Sequence, residues 1–106
     1  MRLTPGVAKR IVKLTAAAAD DLNDTKAWLH QHGAGPVARR RYRAILLSIQ
    51  GLQRNPARYR RHPDDPTLRI VSIEGYRVIY RVDPDTGDND TAGDVTVLAI
   101  LGPGEP

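Results

Sequence analysis

The hydrophobic period of this sequence changes once along the chain, and this change constrains the fold more than any other feature. Between residues 16 and 52 apolar side chains recur at intervals of three and four, which is the spacing of one helix face. After a polar loop that contains three prolines, the apolar residues begin to alternate, which is the spacing of a half-buried strand. The pattern therefore predicts helices followed by strands, the arrangement of an α+β domain.

Two helices are predicted before the loop. Thr15 offers an N-cap oxygen to the first helix, which extends to about His32. The second helix starts near Pro36, after Gly33–Gly35, and ends before Asn55-Pro56. Their apolar stripes are Ala18, Leu22, Thr25 and Leu29 in the first helix and Ala38, Tyr42, Ile45, Ile49 and Leu52 in the second. Because the link between them is short, the two helices should form an antiparallel hairpin.

One short strand is predicted before the helices and three strands after them. The predicted strands are 10–14, 68–73, 76–82 and 95–101. Glu74-Gly75 forms the turn between the second and third strands, and an acidic loop follows the third. The order β-α-α-β-β-β predicts a helical hairpin packed on one face of a small antiparallel sheet. Residues 1–9 lack periodicity and are interpreted as an N-terminal extension of a single domain over residues 10–106.

The chain has a net charge of +4, and its basic and acidic residues are concentrated in different segments. Eight arginines and no acid lie between Val37 and Arg61, whereas five aspartates and no base lie between Asp83 and Asp94. A block of one sign suggests an anionic partner, which leaves nucleic acid, a nucleoprotein surface and an acidic peptide open. The chain has no cysteine and no apolar run near the roughly 20 residues of a membrane span, and its start lacks the pattern of a signal peptide. We expect a cytoplasmic protein.

Three short sequence motifs lie on the predicted helices and strands. In chain order they are Asp21-Leu22 with Trp28, Leu52 with Pro56, and Gly75-Tyr76-Arg77-Val78-Ile79-Tyr80-Arg81-Val82. With the element order, they resemble the RelE/ParE superfamily of toxins from bacterial type II toxin–antitoxin systems, and the ParE branch in particular. The resemblance covers about residues 10–101. It implies a RelE/ParE-like fold and a partner, the cognate antitoxin, with which such toxins form hetero-oligomers.

The first question raised by the resemblance is whether this chain is a ribosome-dependent mRNA endonuclease. RNA cleavage through the 2′-hydroxyl needs a base, an acid and cations that stabilise the charge on phosphorus. The candidate catalytic residues are Arg69, Arg77, Arg81 and His62. Arginine cannot be the base, so His62 and Glu74 are the only titratable candidates near the later strands. Nuclease relatives carry Arg and Tyr or His after the last strand, where this chain reads Leu-Gly-Pro-Gly-Glu-Pro.

The second possibility is that the protein acts by binding, as ParE-type members do when they poison DNA gyrase. Such a surface needs cationic hydrogen bonding and no proton shuttle, which fits a chain with thirteen arginines. The predicted target-binding residues are Arg60, Arg61, Arg69, Arg77 and Arg81. The predicted antitoxin-binding residues are Arg39, Arg40, Arg43 and Trp28, although a merely solvated helix face explains the arginines equally well.

The remaining motifs predict structure and no further chemistry. Trp28 should pack against the second helix or the sheet, and Tyr80 should be structural, whereas the exposure of Tyr76 stays open. The spacing of the acidic loop hints at calcium, but Gly87 occupies a ligand position, so a solvated hairpin loop is preferred.

No cofactor and no metal are predicted. The favoured function is a growth-inhibiting toxin that binds DNA gyrase. The alternatives are an mRNA endonuclease and a non-toxic relative that binds only its antitoxin.

Overall fold

The computed structural model describes residues 10–31 and 35–104. In chain order the elements are β1 (Val12–Leu14), α1 (Ala16–Gln31), α2 (Gly35–Gly51), β2 (Arg69–Ile73), β3 (Tyr76–Asp83) and β4 (Asp94–Leu101). The predicted order β-α-α-β-β-β is confirmed. The proposed N-terminal extension, residues 1–9, lies outside the described residues.

The four strands form one sheet in the order β1-β4-β3-β2. Strands β2, β3 and β4 are antiparallel to one another, as predicted, but β1 joins the edge parallel to β4, with Val12 opposite Val95. The sheet is therefore mixed. The helical hairpin lies between β1 and the later strands in the chain, and such a crossover allows a strand to return in parallel. Strand direction does not follow from alternation, which is why the sequence did not predict this pairing.

Local signals placed the helix starts and the turn correctly. The Thr15 hydroxyl accepts a hydrogen bond from the Ala18 amide at 3.0 Å, so Thr15 caps α1 as predicted. Glu74 and Gly75 both have positive φ, of 54° and 84°. A two-residue hairpin with positive φ at both positions is a type I′ turn, and this turn sets the register in which Ile73 faces Tyr76.

Both helices pack on one face of the sheet, and the core lies between these layers. The predicted stripes are confirmed: the buried members are Ala18, Thr25 and Leu29 of α1, and Ile45 and Ile49 of α2 with Leu52 just after it. On β3 the buried residues are Tyr76, Val78, Tyr80 and Val82. Full burial of a side chain such as Ile45 contributes about 1.5 to 3 kcal/mol. The same alternation directs Arg77 and Arg81 to the other face of the sheet.

Arg10 connects three parts of the chain that are far apart in sequence. Its guanidinium donates hydrogen bonds to the carbonyls of Asn89 at 2.6 Å, Ala92 at 2.8 Å and Gly93 at 2.9 Å. It also donates to the Gln53 carbonyl after α2. These contacts hold the acidic loop, residues 84–93, against the start of the sheet. The loop therefore has a defined conformation although most of its side chains are exposed.

Candidate functional site

The face of the sheet opposite the helices, which we call the open face, carries two of the predicted target-binding arginines. Arg77 is half-buried and Arg81 is exposed. Arg81 lies opposite Thr96 on β4, and Thr96 lies opposite Lys13 on β1. Since neighbouring strands are about 4.8 Å apart, the Cα atoms of Lys13 and Arg81 are about 10 Å apart across the sheet. The sequence did not predict Lys13 as part of this surface, because Lys13 comes beside Thr96 and Arg81 only through the parallel pairing of β1 with β4.

Two aspartates limit the cationic part of the open face. Asp83 and Asp94 lie opposite each other at the end of β3 and the start of β4. The Asp94 carboxylate accepts a hydrogen bond from the Ile11 amide at 2.9 Å, so part of its charge is used within the fold. The open face therefore changes from cationic at Lys13, Arg77 and Arg81 to acidic at this end.

Arg69 does not belong to the open face, so its role in target binding or catalysis stays a prediction that this placement does not support. It lies opposite Tyr80, so its side chain shares the face that the helices cover, and it is 6% exposed. Its guanidinium donates two hydrogen bonds to the Asp85 carboxylate, from Nε at 2.8 Å and from Nη2 at 2.9 Å. Nη1 donates to the Tyr59 carbonyl at 2.6 Å.

The Arg69–Asp85 pair shifts the ionisation of both partners. The hydrogen bonds to Asp85 raise the pKa of Arg69, and the same bonds lower the pKa of the Asp85 carboxyl. Both groups are therefore charged at neutral pH, and they satisfy each other within the fold. A guanidinium held in this way connects β2 to the acidic loop.

The other two predicted target-binding arginines lie along the outer edge of β2. Arg61 donates to Asp85 at 3.2 Å and to the Pro66 carbonyl at 3.1 Å, so it is partly committed to the Arg69–Asp85 cluster. The Arg60 side chain is exposed, while its backbone carbonyl accepts the Ile70 amide at 3.1 Å. These residues lie beside the open face at its β2 edge, where Arg61 pairs with Arg69 in an isolated bridge.

The two candidate proton-transfer groups are far apart. His62 sits beside the start of β2, where its amide donates to the Leu68 carbonyl, and its Nδ1 accepts the Asp64 amide at 3.0 Å. Glu74 occupies the turn after β2 and lies 3.6 Å from the Nε of Arg41. Six residues of extended chain separate Leu68 from Glu74, which is about 20 Å. His62 and Glu74 cannot serve together as the base and acid of one cleavage reaction.

The tyrosines of β3 are structural. Tyr80 is fully buried, and its hydroxyl donates to the Pro56 carbonyl at 2.7 Å, which confirms its predicted role. Burial raises the pKa of this hydroxyl, so Tyr80 stays protonated near neutral pH. Tyr76, whose exposure was left open, is 5% exposed and belongs to the core.

Three of the four predicted antitoxin-binding residues lie in two grooves. The first, which we call the α2 groove, has a volume of about 360 Å³. It is lined by His30, Arg39, Tyr42, Arg43, Leu46 and Leu47. Arg40, next to Arg39, is exposed. The first turn of α2 contains no acidic residue.

Trp28 lies in the second groove, about 440 Å³ in volume, between α1 and the strand ends. Trp28 does not enter the core, because 57% of the residue is exposed, but it lies in the same groove as Ile100 of β4. The groove is also lined by Asp21, Asp24 and Tyr76. The two aspartates give this groove a charge opposite to that of the α2 groove.

A metal centre finds no support in the described part of the chain. Residues 10–31 and 35–104 contain no group of three or more His, Asp or Glu side chains that could hold an ion. Asp85, a ligand position in the calcium-like spacing, is instead bound by Arg69 and by the Gly87 amide. Among the same residues, neither helix is both long and apolar enough to cross a membrane.

Comparison with known proteins agrees with this fold. A family model described as "ParE toxin of type II toxin-antitoxin system, parDE" matches residues 12–102. The chain is also similar in structure to a solved protein described as "Chromosomal ParDE TA system from P. aeruginosa". The two share 18% sequence identity with a TM-score of 0.66, over 89% of this chain and 96% of that one. At that identity the likeness establishes the fold alone. No curated protein sequence matches significantly.

Because the family model spans most of the sequence, from β1 to the end of β4, this chain belongs to the ParE toxin family of type II toxin–antitoxin systems.

Proposed function

We propose that this protein inhibits growth by binding DNA gyrase through the open face, with Arg77 and Arg81 as its central contacts and Lys13 beside them. The observation that carries the proposal is the placement of these cations on a face that the helices leave uncovered. Guanidinium groups spread across a sheet can bind carboxylates or phosphates without any proton transfer. The separation of His62 from Glu74 supports a binding mechanism over RNA cleavage.

We also propose that a cognate antitoxin neutralises the toxin through the exposed arginines of α2, namely Arg39, Arg40 and Arg43. These side chains belong to the helical layer, whereas Arg77 and Arg81 lie on the other side of the sheet. The target and antitoxin surfaces of the proposal are therefore separate. An antitoxin that blocks the target must either extend around the sheet or act without covering Arg77 and Arg81.

Inducible expression of the chain in bacteria tests the target. Growth arrest with cleaved chromosomal DNA and induction of the SOS response would support gyrase, as would inhibition of purified gyrase in a supercoiling assay. Arrest with intact DNA and with mRNA cut at ribosomal A sites would replace the proposal with an endonuclease. Expression of the folded chain without arrest would indicate a relative that binds only its antitoxin.

Charge reversals separate the two surfaces. Lys13→Glu and Arg81→Glu should each weaken arrest and gyrase inhibition, while Arg54→Glu, an equal charge change at an exposed site outside both surfaces, should not. A variant reversed at Arg39, Arg40 and Arg43 should still arrest growth but escape relief by the co-expressed antitoxin. Equal loss of arrest in all the variants would contradict the assignment, because it would show a general effect of charge or folding.

A further inference from the structure

The groove that contains Trp28, which we call the Trp28 groove, lies outside both surfaces proposed above. It runs between α1 and the end of the sheet where β3 begins and β4 ends. Its lining residues are Asp21, Asp24, Thr25 and Trp28 of α1 and, from the other side, Tyr76, Ile100, Gly102 and Pro103. From Asp21 to Trp28 the α1 wall is seven residues, or about 10 Å, long. This length accommodates about three residues of an extended chain.

The floor of the Trp28 groove belongs to the packed core. Thr25, Tyr76 and Ile100 are all buried. The Thr25 hydroxyl donates to the Asp21 carbonyl at 2.8 Å, and the Ile100 amide donates to the Asp21 carboxylate at 3.0 Å, which connects α1 to β4. Because core contacts hold these residues in place, a ligand would not have to order the floor when it binds.

Trp28 gives the Trp28 groove a large exposed aromatic wall, with 57% of the residue exposed. Pro103 adds a second exposed apolar side chain to the lining. Exposed aromatic side chains beside a formed groove are typical of surfaces that another molecule covers, and tryptophan is enriched among the residues that dominate binding between proteins. The indole ring also attracts cations to its face.

The charge of the Trp28 groove determines the kind of ligand. Among the described residues, both charged side chains that line it, Asp21 and Asp24, are acidic. Asp24 is exposed and lies one helical turn before Trp28, so the carboxylate and the indole share one side of α1. A guanidinium suits this pair because it can stack on the ring and donate to the carboxylate together.

Other occupants fit the Trp28 groove less well. The two aspartates repel the phosphates of a nucleic acid backbone. A symmetric contact with a second copy of this chain would bring the same aspartates against each other. The arginines of α2 attract carboxylates, so the Trp28 groove and the α2 groove suit segments of opposite charge.

We infer that the Trp28 groove binds a short basic segment of a partner protein, in which an arginine is flanked by apolar residues. The guanidinium stacks on the indole of Trp28 and pairs with Asp24, while the arginine stem and its apolar neighbours pack against Pro103 and the floor. The inference does not rest on the proposed function, because it uses neither the open face nor the arginines of α2.

Tryptophan fluorescence tests the Trp28 groove on the full chain, since Trp28 is the only tryptophan and reports on this groove alone. The probe is a peptide with the core Leu-Arg-Leu between glycine and serine flanks. Its addition should change the tryptophan emission saturably, and binding should weaken as salt screens the exposed Asp24. Two control peptides, with the cores Leu-Glu-Leu and Ser-Arg-Ser, should each bind at least about tenfold more weakly.

Variants locate the peptide on the Trp28 groove, with a fluorescein label on the peptide and anisotropy as the measurement. Trp28→Ala should weaken binding about tenfold or more, and Asp24→Asn about three- to fivefold. Asp90→Asn neutralises an exposed aspartate of the acidic loop and is the matched control, with a change of less than about twofold. Asp21 is left intact because its carboxylate supports β4. Circular dichroism checks that each variant is folded.

Three results would overturn the inference: no binding at millimolar peptide, equal binding of the Leu-Glu-Leu peptide, or binding unchanged in both Trp28→Ala and Asp24→Asn. Size-exclusion chromatography with light scattering tests a second copy as the occupant. A dimer that Trp28→Ala dissociates would assign the groove to self-association and would also overturn the inference. Growth arrest enters none of these measurements, so its presence or absence tests the proposed function alone.

Discussion

Removal of the Asp85 carboxylate tests whether Arg69 is a structural residue or part of a target surface. Both side chains are nearly buried, with 7% of Arg69 and 11% of Asp85 exposed, and they share two hydrogen bonds shorter than 3 Å. Deleting one partner of a buried pair leaves an uncompensated charge and costs about 3 to 5 kcal/mol. In Asp85→Ala, Arg69 keeps its hydrogen bond to the Tyr59 carbonyl, so the lower end of this range applies.

The expected loss of about 3 kcal/mol corresponds to a decrease in Tm of roughly 12 to 24 °C for a domain of this size. Urea unfolding followed by circular dichroism measures the free energy of unfolding. Asp90→Ala, at an exposed aspartate of the same loop, is the matched control and should stay within about 0.5 kcal/mol of the parent.

A double-mutant cycle with Arg69→Met completes the test. The double variant no longer contains the orphaned charge, so the two single losses should exceed the combined loss by about 1 to 3 kcal/mol. If Asp85→Ala is as stable as Asp90→Ala, or if the losses simply add, the pair does not stabilise the fold as argued. If Arg69→Met keeps its Tm but loses growth arrest, Arg69 is a functional residue after all.

Three further predictions concern the same fold. The hydrogen bonds of Arg69 hold the pKa of Asp85 below its unfolded value of about 3.9, so its stabilisation is present above that pH and is lost as the pH falls further. The stability difference between the parent and Asp85→Ala should therefore shrink from pH 5 downward in urea titrations. Gly93→Ala would place a Cβ against the backbone carbonyl of Asp83 and should cost about 2 kcal/mol or more. Gly51→Ala, where the added Cβ meets open space, should stabilise by about 0.5 kcal/mol, and similar Tm values for the two variants would refute this. Tyr80→Phe should lose about 1 to 2 kcal/mol, because it leaves the buried Pro56 carbonyl unpaired, and an unchanged unfolding midpoint would contradict that contact.

Much of the architecture follows from signals within a few residues of each other. The helix stripes, the Thr15 cap and the Glu74-Gly75 turn depend on local spacing and local backbone geometry, and the structure confirms each of them. The strict alternation of β3 likewise placed Arg77 and Arg81 on the face opposite Tyr80. The family resemblance rested on the same order of elements and is confirmed by the match over residues 12–102.

The placements that the sequence did not predict depend on how distant parts of the chain come together. Arg69 has the residue type of a surface contact, but the register of β2 against β3 places it on the covered face, where Asp85 neutralises it. Lys13 enters the open face only because β1 pairs in parallel with β4. Trp28 has a side chain suited to a core, yet it lines an exposed groove. None of these placements is encoded in a local spacing.

Taken alone, the sequence determined which segments form helices and strands, which side of each is apolar, and where the chain turns, since periodicity and capping act over one or two turns of backbone. Only the tertiary structure decided which charges are neutralised within the fold and which lie on its exposed faces. That outcome depends on strand register, strand direction and loop position, which bring together residues up to 83 positions apart, such as Arg10 and Gly93. Which charged residues pair at such separations depends on the three-dimensional contacts and not on neighbours in the chain.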